Sequence, residues 1–123
     1  MASEKGEPLD QALCNLDAAL VSYRAREEDD PLPLLAVTKA FEVAVEYAWR
    51  AMKGRVEEEG LDCPSPKAAV REAARLGLIS DPSRYMTAIE ARNASVHDYF
   101  GIGVDAFVRL AEGLLKQARK DSL

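Results

Sequence analysis

Apolar residues return along this chain at helical intervals, in five blocks separated by glycine, proline and acidic stretches. Leu9, Leu13, Leu16, Leu20 and Tyr23 alternate four- and three-residue spacing, which predicts a first helix from about Pro8 to Arg26. The segment EEDDPLP then breaks the pattern, because clustered acids followed by two prolines favour a loop. A second, longer helix is predicted from about Leu34 to Glu59. Phe41, Val45, Ala48, Met52 and Val56 form its main stripe, widened by Ala40, Ala44, Tyr47 and Ala51. So broad an apolar face suits a central helix with neighbours on two sides. Lys39, Glu42, Glu46, Arg50 and Lys53 fall on the opposite, solvated side, with Glu46 and Arg50 at favourable i,i+4 spacing. Gly60 is the predicted stop.

Ser65-Pro66 reads as an N-cap followed by proline in the first helical position, opening a short third helix to about Leu76. Gly77 ends it, with Leu78 and Ile79 as the apolar residues of a Schellman motif. Asp81-Pro82 repeats the start signal and opens a fourth helix carrying the segment RNASVHDY. Gly101 and Gly103 interrupt that helix. A fifth follows, with Val104, Phe107, Ala111, Leu114 and Ala118 on one face and basic residues near its end, as the helix dipole prefers. No strand, internal repeat or low-complexity tract is evident. Short connections between amphipathic helices predict an all-α fold, an antiparallel up-and-down bundle of four to five helices. Residues 1–123 form one domain, with 1–7 expected to be disordered ahead of it.

Composition narrows the possible functions. The 123 residues are 48% hydrophobic and 30% charged, a globular balance, with a formal net charge of −5. An acidic surface argues against a sequence-specific DNA reader, which needs a broad basic face, but leaves room for a local RNA site built from a few cations or for a basic protein partner. No apolar run is long enough to span a bilayer, and the polar start MASEKGEPLDQ lacks a signal-peptide core, so a cytoplasmic protein is expected. Cys14 and Cys63 are far apart and have no Cys/His grouping that would hold zinc. No P-loop or glycine-rich dinucleotide motif is present, and no metal or cofactor is expected.

The candidate chemistry lies on the fourth helix. Taking Ile89 as the centre of its stripe, with Tyr85, Met86, Val96 and Phe100, Asn93 falls roughly 40° away and is expected to be a buried amide. Arg92 lies roughly 60° and Tyr99 roughly 80° to one side, and His97 roughly 80° to the other. Each of these has a plain structural role when taken singly. A histidine near a helix end caps or packs, an arginine forms an ion pair, a tyrosine packs at a core edge, and an asparagine bonds a backbone group. Together they put a cation, an amide, the chain's single histidine and a phenol around one stripe, which serves chemistry better than packing.

Arg92, His97 and Tyr99, an R-x4-H-x-Y array, resemble the motif of the HEPN superfamily and, in this form, its HepT toxin type. The stretch SPKAAVREAARLGLISDPSRYMTAIEARNASVHDYF is similar to the second half of the nucleotidyltransferase-substrate-binding subfamily, and FEVAVEYAWRAMK, with Phe41, Glu42, Glu46 and Trp49, to its central helix. Two positions depart from the subfamily pattern. Tyr85 stands where tryptophan is usual, and Val96 replaces the usual hydroxyl residue before the histidine. The resemblance implies a homodimeric helical bundle, paired with a minimal nucleotidyltransferase that adenylylates (AMPylates) the motif tyrosine, here Tyr99. It also implies a metal-independent ribonuclease toxin. In that chemistry His97 suits proton transfer and Arg92 the developing phosphoryl charge, while Asn93 suits orienting His97 or holding a phosphate oxygen. The alternative is a non-catalytic subunit that helps a nucleotidyltransferase hold its substrate.

Overall fold

The computed structural model describes residues 2–93 and 103–123, with side chains from Glu7 onward. It contains five helices: α1 (Ala2–Arg24), α2 (Leu32–Glu58), α3 (Pro66–Arg75), α4 (Pro82–Asn93) and α5 (Val104–Asp121). No strand occurs among the described residues. Helix α1 begins ahead of Pro8, which lies inside it. Helix α2 begins two residues before the apolar pattern suggests. The Leu32 amide is taken up by Asp30 Oδ1 at 3.0 Å, and Pro33 falls in the first turn, where its missing N–H costs nothing.

The helix ends follow from local chemistry. Gly60 (φ +83°) and Gly77 (φ +75°) take the left-handed conformation that closes α2 and α3. The Leu78 amide bonds Ala73 O at 2.9 Å and the Gly77 amide bonds Ala74 O at 3.1 Å, the two bonds of a Schellman motif. Gly60 and Leu61 repeat the pattern on Glu57 O and Val56 O. At the start of α3, Ser65 is extended and its hydroxyl accepts the Ala68 amide at 3.2 Å.

Helix α2 is the axis of the bundle and packs against each of the other four. Its Val37, Phe41, Ala44, Val45, Ala48, Met52 and Val56 are buried, meeting Leu16 and Leu20 of α1, Val70 of α3, Ile89 of α4 and Phe107 of α5 in one core. Phe41 and Phe107 meet edge to face, with ring centroids 5.2 Å apart. Helices α2 and α5 run parallel, since Phe41 and Phe107 meet in the first half of each and the ends of both line one groove. Asp17 pairs with Arg119 and Arg24 with Glu112, so α1 and α5 run in opposite directions. The start of α4 meets the end of α5, where the Tyr85 hydroxyl donates to Asp121 Oδ2 at 2.6 Å.

That last contact belongs to a polar knot. Asp121 also accepts from the Ser80 amide and hydroxyl and from Gln117, which is only 8% exposed. Burial and the Asp121 carboxylate push the Tyr85 phenol far above its ordinary range, so it remains a donor. Burial works against the charge on Asp121, but the hydrogen bonds from Tyr85, Gln117 and Ser80 outweigh it and hold the carboxyl below its usual value.

Candidate functional site

Tyr85, Ala88 and Ile89 are the buried residues of α4. Their directions, with that of Arg92, average roughly 50° from Ile89 towards the arginine, so the buried face is centred there rather than on Ile89. This shift changes the standing of two candidates. Asn93 lies roughly 90° from the true centre and is exposed, so the buried amide expected from the wheel is not found. Arg92 lies close to the centre and is half-buried. Val96, His97 and Tyr99 lie outside the described residues.

The guanidinium of Arg92 crosses to α2, where Nη2 lies 3.0 Å from Glu46 Oε2. The same oxygen accepts from Trp49 Nε1 at 3.0 Å, and Arg50 Nη2 reaches Oε1 at 2.8 Å. Glu46 is therefore shared by two arginines and an indole. Its partial burial opposes ionisation, but the Trp49 hydrogen bond and the Arg92 and Arg50 charges prevail and hold the carboxyl below its ordinary value. The Glu46 side chain is only 23% exposed, so the flank of α2 that reads as solvated is in fact one wall of an interhelical cleft.

That cleft, about 330 Å³, is lined by Lys39, Glu42, Val43, Glu46, Tyr47, Arg50 and Arg92. Three cations face two carboxylates in a chain that is acidic overall, so the cleft locally reverses the mean charge. The Arg50 guanidinium stands 5.8 Å from the Tyr47 ring centroid, and Lys39 approaches Glu42 at 4.0 Å. Such a set of fixed donors suits a phosphate or a carboxylate. Sequence reasoning found Arg92 but missed Glu46, Lys39 and Arg50 as its neighbours. The signal was the Glu46–Arg50 spacing, which reads as a local helix pair and hides the contact to a residue 46 positions further on. Among the described residues, no three His, Cys, Asp or Glu side chains are grouped so as to hold a metal ion.

Among the described residues, four helices around a central α2, with an arginine-bearing cleft between α2 and α4, define an all-α helical bundle with a polar interhelical site. The chain belongs to the nucleotidyltransferase substrate binding protein like family, whose model matches residues 5–112. It is also similar to the crystal structure of a protein from Thermus thermophilus. The two are 27% identical, the match covers 90% of this chain and 98% of that one, and the TM-score is 0.64. Among curated proteins none matches the chain. No helix of the described residues is long and apolar enough to cross a membrane. The family name points to a nucleotidyltransferase as partner.

Proposed function

We propose that this protein is a HEPN-type toxin of the HepT kind: a metal-independent RNA endonuclease held in check by a minimal nucleotidyltransferase that AMPylates Tyr99. The observation that carries this reading is the Arg92–Glu46 pair at 3.0 Å, which holds a motif arginine at the rim of a cation-rich cleft. An arginine fixed in this way is oriented before substrate arrives, as stabilisation of phosphoryl charge requires. His97 follows five residues later in the motif and is assigned proton transfer, with the substrate's own 2′-OH as nucleophile. Asn93, exposed on α4, is available to a phosphate oxygen from the solvent side. In-line cleavage calls for two proton-transfer groups, and a two-fold homodimer would supply two copies of His97. AMPylation would place a phosphate on Tyr99 on the Arg92 side of the motif, repelling RNA and competing for the guanidinium.

The same ion pair favours a second reading. Glu46 neutralises much of the Arg92 charge, which suits a non-catalytic subunit that only presents a substrate to the nucleotidyltransferase. Expression in a bacterial host, together with cleavage of labelled RNA by the purified chain, separates the two. The toxin reading expects growth arrest and cleavage, both abolished by Arg92→Ala or His97→Ala. It expects mass spectrometry after incubation with the partner and ATP to find the adenylyl group on Tyr99. No cleavage by the wild-type chain, with partner binding intact, overturns it in favour of the substrate-binding subunit.

A further inference from the structure

On the opposite side of α4 from the Glu46 contact, the start of the helix faces the middle of α5 across a notch of about 150 Å³. It is lined by Ser83, Arg84, Thr87, Arg109, Leu110, Gly113 and Leu114. The notch differs from the Arg92 cleft in one respect: both of its charged lining residues are cations. Glu112, a sequence neighbour of Gly113, is engaged elsewhere, paired with Arg24 of α1 at 2.6 Å. Asp105 stands one turn before Arg109, yet no ion pair joins them, and Arg109 has no acidic partner among the described residues. In a chain with 21 acidic and 16 basic side chains, an unmatched arginine beside a second arginine is a local departure from charge balance.

Gly113 shapes the notch. A Cβ built at this position would lie 2.5 Å from Arg84 Nη1, so the guanidinium occupies the space that any other residue would fill. The bare backbone of α5 is thus a seat for Arg84. The outer edge of that guanidinium is anchored separately, with Nε 3.3 Å from Asp81 Oδ2. Asp81 is itself satisfied by the Ser83 hydroxyl, which donates to Oδ1 at 2.7 Å. The Ser83 proton is therefore committed, and the hydroxyl left for a ligand is that of Thr87. Two guanidinium groups from different helices and one hydroxyl converge on a space large enough for one tetrahedral oxyanion.

We infer that this α4–α5 notch binds a phosphate group, with Arg84 and Arg109 as its cationic arms, Thr87 as a hydroxyl donor and Gly113 as the seat that positions Arg84. Arg84 and Arg92 are eight residues apart on one helix, roughly 12 Å along its axis and on different flanks of it, so the notch is a site distinct from the Arg92 cleft. The choice of an RNA backbone as the source of the phosphate rests on the ribonuclease reading. The phosphate chemistry of the notch does not, and a free nucleotide would supply the same group.

The test is an amide NMR titration of the full chain with three probes: pyrophosphate, ATP, and a 2′-O-methyl RNA decamer that cannot be cut through its own 2′-OH. Shifts are expected at residues 83–87 and 109–114. Arg109→Gln should weaken binding about tenfold, the loss of one charge-assisted contact. Gly113→Ala should weaken it as well, by pushing Arg84 from its seat, while leaving the melting temperature unchanged or higher, so that lost binding cannot be ascribed to lost fold. Shifts with the decamer at lower concentration than with ATP identify a strand phosphate, and the reverse order identifies a free nucleotide; either outcome supports the site. The absence of shifts at these residues with all three probes overturns it, as do shifts that both variants leave unaltered. Repeating the titration on Arg92→Ala separates the two proposals, because binding in the notch should persist there even where RNA cleavage is never observed.

Discussion

Arg92 reaches Glu46 at 3.0 Å from a different helix, and Arg50 reaches the other oxygen of the same carboxylate at 2.8 Å. One acid thus arranges two cations whose mutual repulsion would otherwise drive them apart. The carboxylate is a positioning group for the arginine that the motif singles out.

Under the ribonuclease reading, Arg92→Ala should abolish cleavage, whereas Glu46→Gln should lower kcat by on the order of ten- to a hundredfold by loosening the guanidinium. Neither change should move the free energy of unfolding by more than about 1 kcal/mol, because the pair sits at a half-open surface. Cleavage rates measured beside urea denaturation check both parts. Equal activity of Glu46→Gln and wild type would remove Glu46 from the site.

Tyr85→Phe should be more costly to stability than either. It leaves Asp121 without its closest donor at 2.6 Å, a charge-assisted bond worth about 1.5–3 kcal/mol, while preserving the ring that fills the core. Denaturant unfolding should report the loss, with RNA cleavage, if present, retained in the folded fraction.

Acid should destabilise the fold through two named carboxylates. Glu46 and Asp121 both have folded values below their ordinary ones. Each therefore contributes its full stabilisation above its unfolded value and loses it as the pH falls through the folded one. Stability should be flat from neutral pH down to about 5 and fall below about pH 4. In Tyr85→Phe the part of that fall due to Asp121 should shrink, and thermal melts across this range would show it.

The two thiols should differ sharply. Cys63 has no exposed surface, and burial raises its pKa, whereas Cys14 is exposed. A disulfide reagent should therefore titrate a single thiol in the native protein, lost in Cys14→Ser, and both thiols in denaturant.

The sequence was most informative where a structure depends on neighbours in the chain. Gly60, Gly77 and Ser65-Pro66 mark helix ends because left-handed backbone and side-chain caps act over a few residues. It was least informative where helices meet. A helical wheel of α4 that counts Met86, Val96 and Phe100 as core centres on Ile89. Among the described residues Met86 is only partly buried, and the packing turns the helix towards Arg92 instead. That rotation is why Asn93 is exposed and Arg92 is not. The Tyr85–Asp121 bond spans 36 residues, and Arg84 meets Gly113 across two helices, so no spacing along the chain could announce either.

The polar knot at Asp121 has a mechanical consequence. It grips α4 in its first turn through Tyr85, while Glu46 grips the helix seven residues further on through Arg92. A rod held at two points about two turns apart resists rolling about its long axis, so the angular setting of Arg92 is inherited from the bundle. A signal that changes what Arg92 does must therefore act by competing for its charge, since turning the helix beneath it would require breaking two clamps at once.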